Sequence, residues 1–262
     1  ARSAIDKWHG SSRKGYQTWT PAFYMARIGD PASRELLMAL AKDATRPSLV
    51  RATALSYMQH LPSSSVRRVT DEALSDSDPL VRISALQALT ATMPLDERYQ
   101  KAASLLSDPV RGVRIEAANV LADQPLDGLS RDARLPLERA WDEYEASQRL
   151  NADRPEGRAN LAGFWLRRGK AEQAEKEYIE GLKIEPAATP LSINLADLYR
   201  AQGREDEAEK ILRQALTINP QASAAHHSLG LSLVRRKRYD EALSELALAV
   251  KYTPEEPMYA YV

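Results

Sequence analysis

The sequence predicts an all-α fold, a right-handed α-α superhelix assembled from short helical hairpins. Three observations predict it. No stretch sustains the apolar–polar alternation of a strand. The apolar residues, 44% of the chain, are mainly Ala and Leu, with Phe present only twice, a composition that suits closely packed helices. Above all, the chain repeats itself, with a step of 34 residues in its C-terminal half and of 31 to 32 in its N-terminal half. Periods of this size mark arrays of stacked hairpins.

The N-terminal half, residues 1–128, opens its first clear helix at Thr20-Pro21 and closes it at Gly29. Val50-Arg51, Val81-Arg82 and Val113-Arg114 recur at the shorter step. Ala54, Ala85 and Ala117 follow each Arg by three residues, and Met58, Leu89 and Leu121 come one i+4 step later. Asp43, Asp76 and Asp108 precede these arginines, with Pro47, Pro79 and Pro109 between. Asp-Pro reads as a helix N-cap followed by Pro in the first turn, and Asp30-Pro31 gives the same signal. A loop, Asp123 to Gly128, separates the halves. Apolar stripes on both sides of it predict one continuous superhelix with a change of curvature.

The C-terminal half, residues 129–262, begins with a degenerate or capping helix, Leu137 to Leu150, carrying Ala140, Trp141 and Tyr144. Full units follow at about 155–188, 189–222 and 223–256, and a fourth stops at 257–262 inside its first helix. Four columns hold the register: Leu161, Leu195, Leu229; Ala174, Ala208, Ala242; Tyr178, Leu212, Leu246; and Pro186, Pro220, Pro254. In the second unit a helix from Leu191 to Ala201 turns at Gly203 into a return helix from Glu205 to Leu216. Ala208 and Ala215 let the two approach closely, and Pro220, which lacks an N–H, opens the next connection. This pattern resembles the tetratricopeptide repeat. The Asp…Pro…Val-Arg-x-x-Ala pattern resembles HEAT and related short bihelical repeats, families in which such Asp and Arg columns tie successive repeats together as buried or half-buried ladders. The columns read either as recognition residues or as such a ladder, and the ladder is preferred.

Chemistry-bearing constellations are scarce, so the reading is of a non-enzyme with no catalytic and no metal-binding residue. The chain has no Cys, which removes disulfides, zinc fingers, thiol catalysis and covalent haem attachment. Its four histidines include the adjacent pair His226-His227. Neighbours on a helix point about 100° apart, unlike the i,i+4 pairs that hold metals, so these read as groove or surface residues. Gly163 to Lys170 lacks the spacing and the strand of a phosphate loop. Thirty-six basic residues balance 36 acidic ones, which argues against nucleic-acid binding. No apolar run reaches the ~20 residues of a membrane span.

A partner is therefore expected to be a protein or peptide. Tetratricopeptide arrays bind peptides along their first helices, and that resemblance makes Asn160, Arg167, Asn194, Asp197, Arg200, His227, Leu231 and Arg235 the groove lining here. The carboxylate clamp of some family members does not carry over. Its Lys-Asn-Asn-Lys-Arg positions read Ala159, Gly163, Asn194, Ala224 and Ser228, one match in five. Basic clusters recur at the turns (Arg167, Arg168 and Lys170; Arg200 and Arg204; Arg235 to Arg238). They either face an acidic partner or complement helix dipoles together with the acidic residues that follow, and the second account is preferred.

A wider resemblance rests on Trp8-His9-Gly10, Val50-Arg51-Ala52-Thr53-Ala54-Leu55, Leu150-Asn151-Ala152-Asp153-Arg154-Pro155, Asn194 to Arg200 and Leu229 to Arg235. These are similar to the C-terminal region of bacterial multihaem c-type cytochromes with tetratricopeptide tails. That resemblance implies a periplasmic docking module downstream of a haem domain, which becomes a possible partner. No cofactor is expected in this stretch, and haem belongs to an upstream part. The alternatives are an accessory domain of an enzyme or a free-standing cytoplasmic adaptor. Because the fourth unit is short, Leu246, Val250, Met258 and Tyr261 are expected to be partly uncovered and to favour self-association through that end.

Overall fold

The computed structural model describes residues 16–261; Trp8-His9-Gly10 and Val262 lie outside them. Among the described residues all regular structure is helical. The α-helices are α1 Thr20–Arg27, α2 Ser33–Lys42, α3 Ser48–Met58, α4 Ser64–Ala73, α5 Pro79–Thr92, α6 Leu95–Ala102, α7 Arg111–Val120 and α8 Arg131–Arg149. They continue as α9 Pro155–Arg167, α10 Ala171–Ile184, α11 Thr189–Ala201, α12 Glu205–Ile218, α13 Ser223–Arg235 and α14 Tyr239–Tyr252. Two compact units divide between Tyr144 and Glu145. The division falls inside α8 rather than in the loop before it. This helix begins earlier than the Leu137–Leu150 segment and carries Pro136 inside it.

The N-terminal unit is built on local signals that mostly behave as their chemistry dictates. Asp78 is extended and accepts a hydrogen bond from the Leu80 N–H at 2.8 Å, capping α5 with Pro79 in its first turn. The other two Asp-Pro steps differ. Asp108 accepts from the Val110 N–H and Asp30 from the Ala32 N–H, so each closes a short turn and the helix starts three residues after the Asp. Short polar side chains form such turns as readily as caps. Leu37, Leu55, Met58, Leu86, Leu89 and Leu121 are fully buried, each contributing about 1.5–3 kcal/mol relative to exposure.

The Arg and Asp columns of this unit form the expected ladder. Each Arg reaches forward by one repeat. Arg51 pairs with Asp76, and Arg82 forms a two-pronged contact with Asp108 at 2.9 and 3.0 Å. Arg114, next in the column, takes Glu143 at 3.0 Å. The Arg82 Nη1 also donates to the Asp76 and Ser77 carbonyls, and Arg114 repeats this on Asp108 and Pro109. The guanidinium thus satisfies a turn and a carboxylate together, a geometry suited to its planar fork.

The C-terminal unit consists of three helical hairpins, α9–α10, α11–α12 and α13–α14. Leu161, Leu195 and Leu229 are fully buried, and Ala174, Ala208 and Ala242 let each return helix approach. The hairpin turns occupy one column, residues 169, 203 and 237. Gly169 and Gly203 adopt φ of +70° and +75°, and Lys237 is held at φ 60° in the third turn. A side chain in this region crowds its own backbone, at a cost of roughly 1–2 kcal/mol.

Candidate functional site

The first helices α11 and α13 pack on each other, so their exposed faces form one surface. Asn194, Asp197 and Arg200 stand at i, i+3 and i+6 on α11, and all three are exposed. Arg200 donates to the Asp197 carboxylate at 3.1 and 3.3 Å, while the Asn194 amide has no side-chain partner among the described residues. On α13, Leu231 is half-buried and Arg235 exposed. Asn160 is exposed on α9 and donates to the Gln148 side chain at 3.2 Å; Arg167 is exposed at the end of that helix.

His227 does not belong to this surface. It is buried, 9% exposed, under the ring of Tyr259 at a centroid distance of 4.9 Å. Burial without a charged partner pushes its pKa below the ordinary histidine value. Its neighbour His226 is buried too. The pair is thus neither groove nor surface, because Tyr259 and the α14 residues Glu245 and Tyr252 cover it. Leu246, expected to be uncovered, is also buried; it packs against Gly230, where a Cβ would lie 2.6 Å from its Cγ. Val250 and Met258 stay exposed.

The basic turn clusters are largely engaged within the chain. Arg204 pairs with Glu175 of the preceding return helix and Glu207 of its own, and lies 4.1 Å over the Tyr199 ring. Arg238 repeats this one unit later with Glu209 and Glu241. Hydrogen bonds from Arg204 hold the Glu175 and Glu207 carboxyls below the usual range, and Arg238 does the same to Glu241. In the turns the residues left for a partner are therefore few. The equal 29-residue offset of Glu175–Arg204 and Glu209–Arg238 is the sequence signal for this second ladder.

A further column was not legible as a site. Arg158 on α9 donates through Nε to the Ala152 carbonyl at 2.8 Å and through Nη1 to Glu177 at 2.6 Å. Two units later His226 spans the same gap, with Nε2 3.0 Å from the Pro220 carbonyl and Nδ1 2.6 Å from Glu245. In the middle unit these positions are Pro186, Ser192 and Ile211, and the bridge is missing.

Among the described residues no group of three or more His, Asp or Glu side chains is placed to hold a metal ion. No described helix is long and apolar enough to cross a membrane. A family model described as "Tetratricopeptide repeat" matches residues 166–230 and 199–262. No curated protein matches the chain in sequence. Solved structures with similarity include MamA, at 18% identity over 63% of this chain and 92% of that one, TM-score 0.39. The thermophilic TPR protein TTC0263 of Thermus thermophilus matches at 19% identity over 87% and 95% of the two chains, TM-score 0.36. The Cut9–Hcn1 hetero-tetramer of the APC/C matches at 16% identity over 98% and 50%, TM-score 0.43.

Proposed function

We propose that the tetratricopeptide repeats of the C-terminal unit make this chain a protein-docking scaffold, with the exposed face of α11 and α13 as its peptide-binding surface. One observation carries the reading. The ion pairs that tie repeats together consume the turn residues, whereas Asn194 and Arg235 stand exposed on packed first helices without side-chain partners among the described residues. Hydrogen-bonding groups on a rigid framework recognise a partner at little ordering cost. The surface mixes Asn, Asp, Arg and Leu, which suits an extended polar peptide with an occasional aliphatic anchor.

The chain acts on this reading as a binding module and not as an enzyme. The N-terminal unit serves as a HEAT-like extension of the scaffold, supported by its forward-reaching Arg ladder. The resemblance to the tails of multihaem cytochromes supports docking beside a haem domain in the periplasm; several Cys-x-x-Cys-His motifs in the upstream reading frame would support that placement, and an initiator Met adjoining Ala1 would contradict it.

Peptides selected from a display library on the purified protein test the docking surface. Replacing Asn194 and Arg200 together with Ala is expected to weaken the selected peptides about tenfold, or about 1.4 kcal/mol, with little change in melting temperature because both side chains are exposed. Unchanged affinity in that variant would contradict the assignment.

A further inference from the structure

The middle hairpin has a cavity where its neighbours have a polar bridge. In the first unit Arg158 links the Ala152 carbonyl to Glu177, and in the third His226 links the Pro220 carbonyl to Glu245. Each link fills the space between a first helix, its return helix and the loop before them. The corresponding middle residues are Pro186, Ser192 and Ile211, and all three line a cavity of about 350 Å³ together with Leu182, Gln214 and Ile218. Shortening Arg or His to Ser, and replacing Glu by Ile, therefore empties the space of charge and volume at once.

What remains has a definite chemistry. Ser192 is 3% exposed, and its hydroxyl has no partner among the described residues although it lines the cavity. The hydroxyl is reachable from the cavity, so a donor or acceptor that enters would find an open hydrogen-bonding group there. The Pro186 carbonyl lacks the side-chain donor that its two counterparts receive. The walls are aliphatic, from Leu182, Ile211 and Ile218, the last 50% exposed at the rim. No lining residue is charged, in a chain where 27% of residues are.

We infer that this cavity is a binding site for an uncharged aliphatic side chain of a partner polypeptide, whose flanking amide N–H donates to the Pro186 carbonyl or the Ser192 hydroxyl. The size suits one such side chain with its adjoining amides. A charged group would lose its hydration against these walls without gaining the counter-charge present in the other two units. Ser192 and Asn194 stand about 200° apart around α11, so the cavity opens on a different face from the docking surface and is a second point of attachment. That the occupant belongs to a polypeptide rests on the docking reading; the cavity itself does not.

The test uses the full chain with isotope-labelled Ile methyl groups and, as probe, N-acetyl-leucine N-methylamide. Titration is expected to shift the Ile211 and Ile218 methyls along saturating curves, with the N-acetyl Lys and Glu analogues at least tenfold weaker. Rebuilding the bridge with the double substitution Ser192→Arg and Ile211→Glu should abolish the Ile218 response. Should that variant fail to fold, Ile218→Ser at the rim should weaken the probe at least threefold, and unchanged affinity there counts against the site. Absence of saturation in the wild type, equal response to the charged analogues, or an undiminished response in the rebuilt variant would overturn the inference. So would the same methyl shifts appearing on concentrating the protein without probe, which would assign the cavity to a second copy. Because the probe requires no natural partner, its failure leaves the Asn194/Arg200 experiment standing, and failure of that experiment leaves the cavity standing.

Discussion

In the N-terminal unit Arg82 and Asp108 meet with side-chain exposures of 11% and 6%, whereas in the C-terminal unit Arg204 meets Glu175 and Glu207 at 32%, 22% and 50%. Arg82–Asp108 and Arg204–Glu175 each connect one repeat to the next, but at different depths. A buried pair depends on both members, because removing one leaves an uncompensated charge in a poor solvent. An exposed pair is screened by water and salt and contributes little. The first unit thus places its recognition-like residues inside the framework. The second joins successive hairpins through apolar contacts and shallower ion pairs, and Asn194 and Arg235 on its first helices stay exposed without a side-chain partner among the described residues. Charge in a repeat column is not by itself a sign of binding; depth decides.

Breaking the inner ladder should produce the largest effect. Arg82→Ala is expected to cost about 3–5 kcal/mol, read as a lower urea midpoint, while Arg204→Ala should move the midpoint far less. Equal losses would remove the distinction between the units. A smaller effect of opposite sign is expected at the third hairpin turn. Lys237→Gly should stabilise by about 1 kcal/mol, by relieving a left-handed residue where the other two turns carry Gly, whereas Gly203→Ala should destabilise by a similar amount. Calorimetry on the two variants checks both signs.

The smallest effect is one of pH. His227 titrates below its ordinary value of about 6.5 in the folded protein, so the unfolded chain binds more protons as the pH falls through that value. Stability should therefore decline from about pH 6.5 downward, and His227→Gln should flatten this part of the curve. The Glu175, Glu207 and Glu241 carboxyls are also depressed. Their contribution is present above their ordinary value near 4.5 and is lost below it as the folded forms protonate. Urea midpoints measured across both windows separate the two. A His227→Gln curve that keeps its slope near pH 6 would show that the decline arises elsewhere.

The hairpins were legible in the sequence because a column of Leu, Ala and Pro survives three copies, and hairpin packing imposes that column. The inner ladder was legible for the same reason, since Val-Arg and Asp recur together. The histidines were not. Adjacent positions on α13 point in different directions, and what covers them, Glu245 and Tyr259, lies 19 and 32 residues away. Nor was the cover on Leu246: the missing side chain of Gly230 admits it, which shows only once α13 and α14 are packed. The cavity was hidden for a further reason. It is defined by what Ser192 and Ile211 lack relative to Arg158, His226, Glu177 and Glu245, and an absence shows only when the columns are compared in space. Of the residues proposed for docking, Asn194, Asp197, Arg200 and Arg235 stand exposed on their helices.

The separation of framework from recognition surface is tested most directly by measuring one selected peptide against Arg82→Ala and against the Asn194→Ala, Arg200→Ala pair, recording affinity and melting for each. The account predicts a crossed result: the Arg82 variant melts earlier and binds the peptide with unchanged affinity below its transition, while the groove variant melts as the wild type and binds about tenfold more weakly. Loss of peptide affinity in the folded Arg82 variant, with the groove variant binding normally, would contradict it and move recognition to the N-terminal ladder.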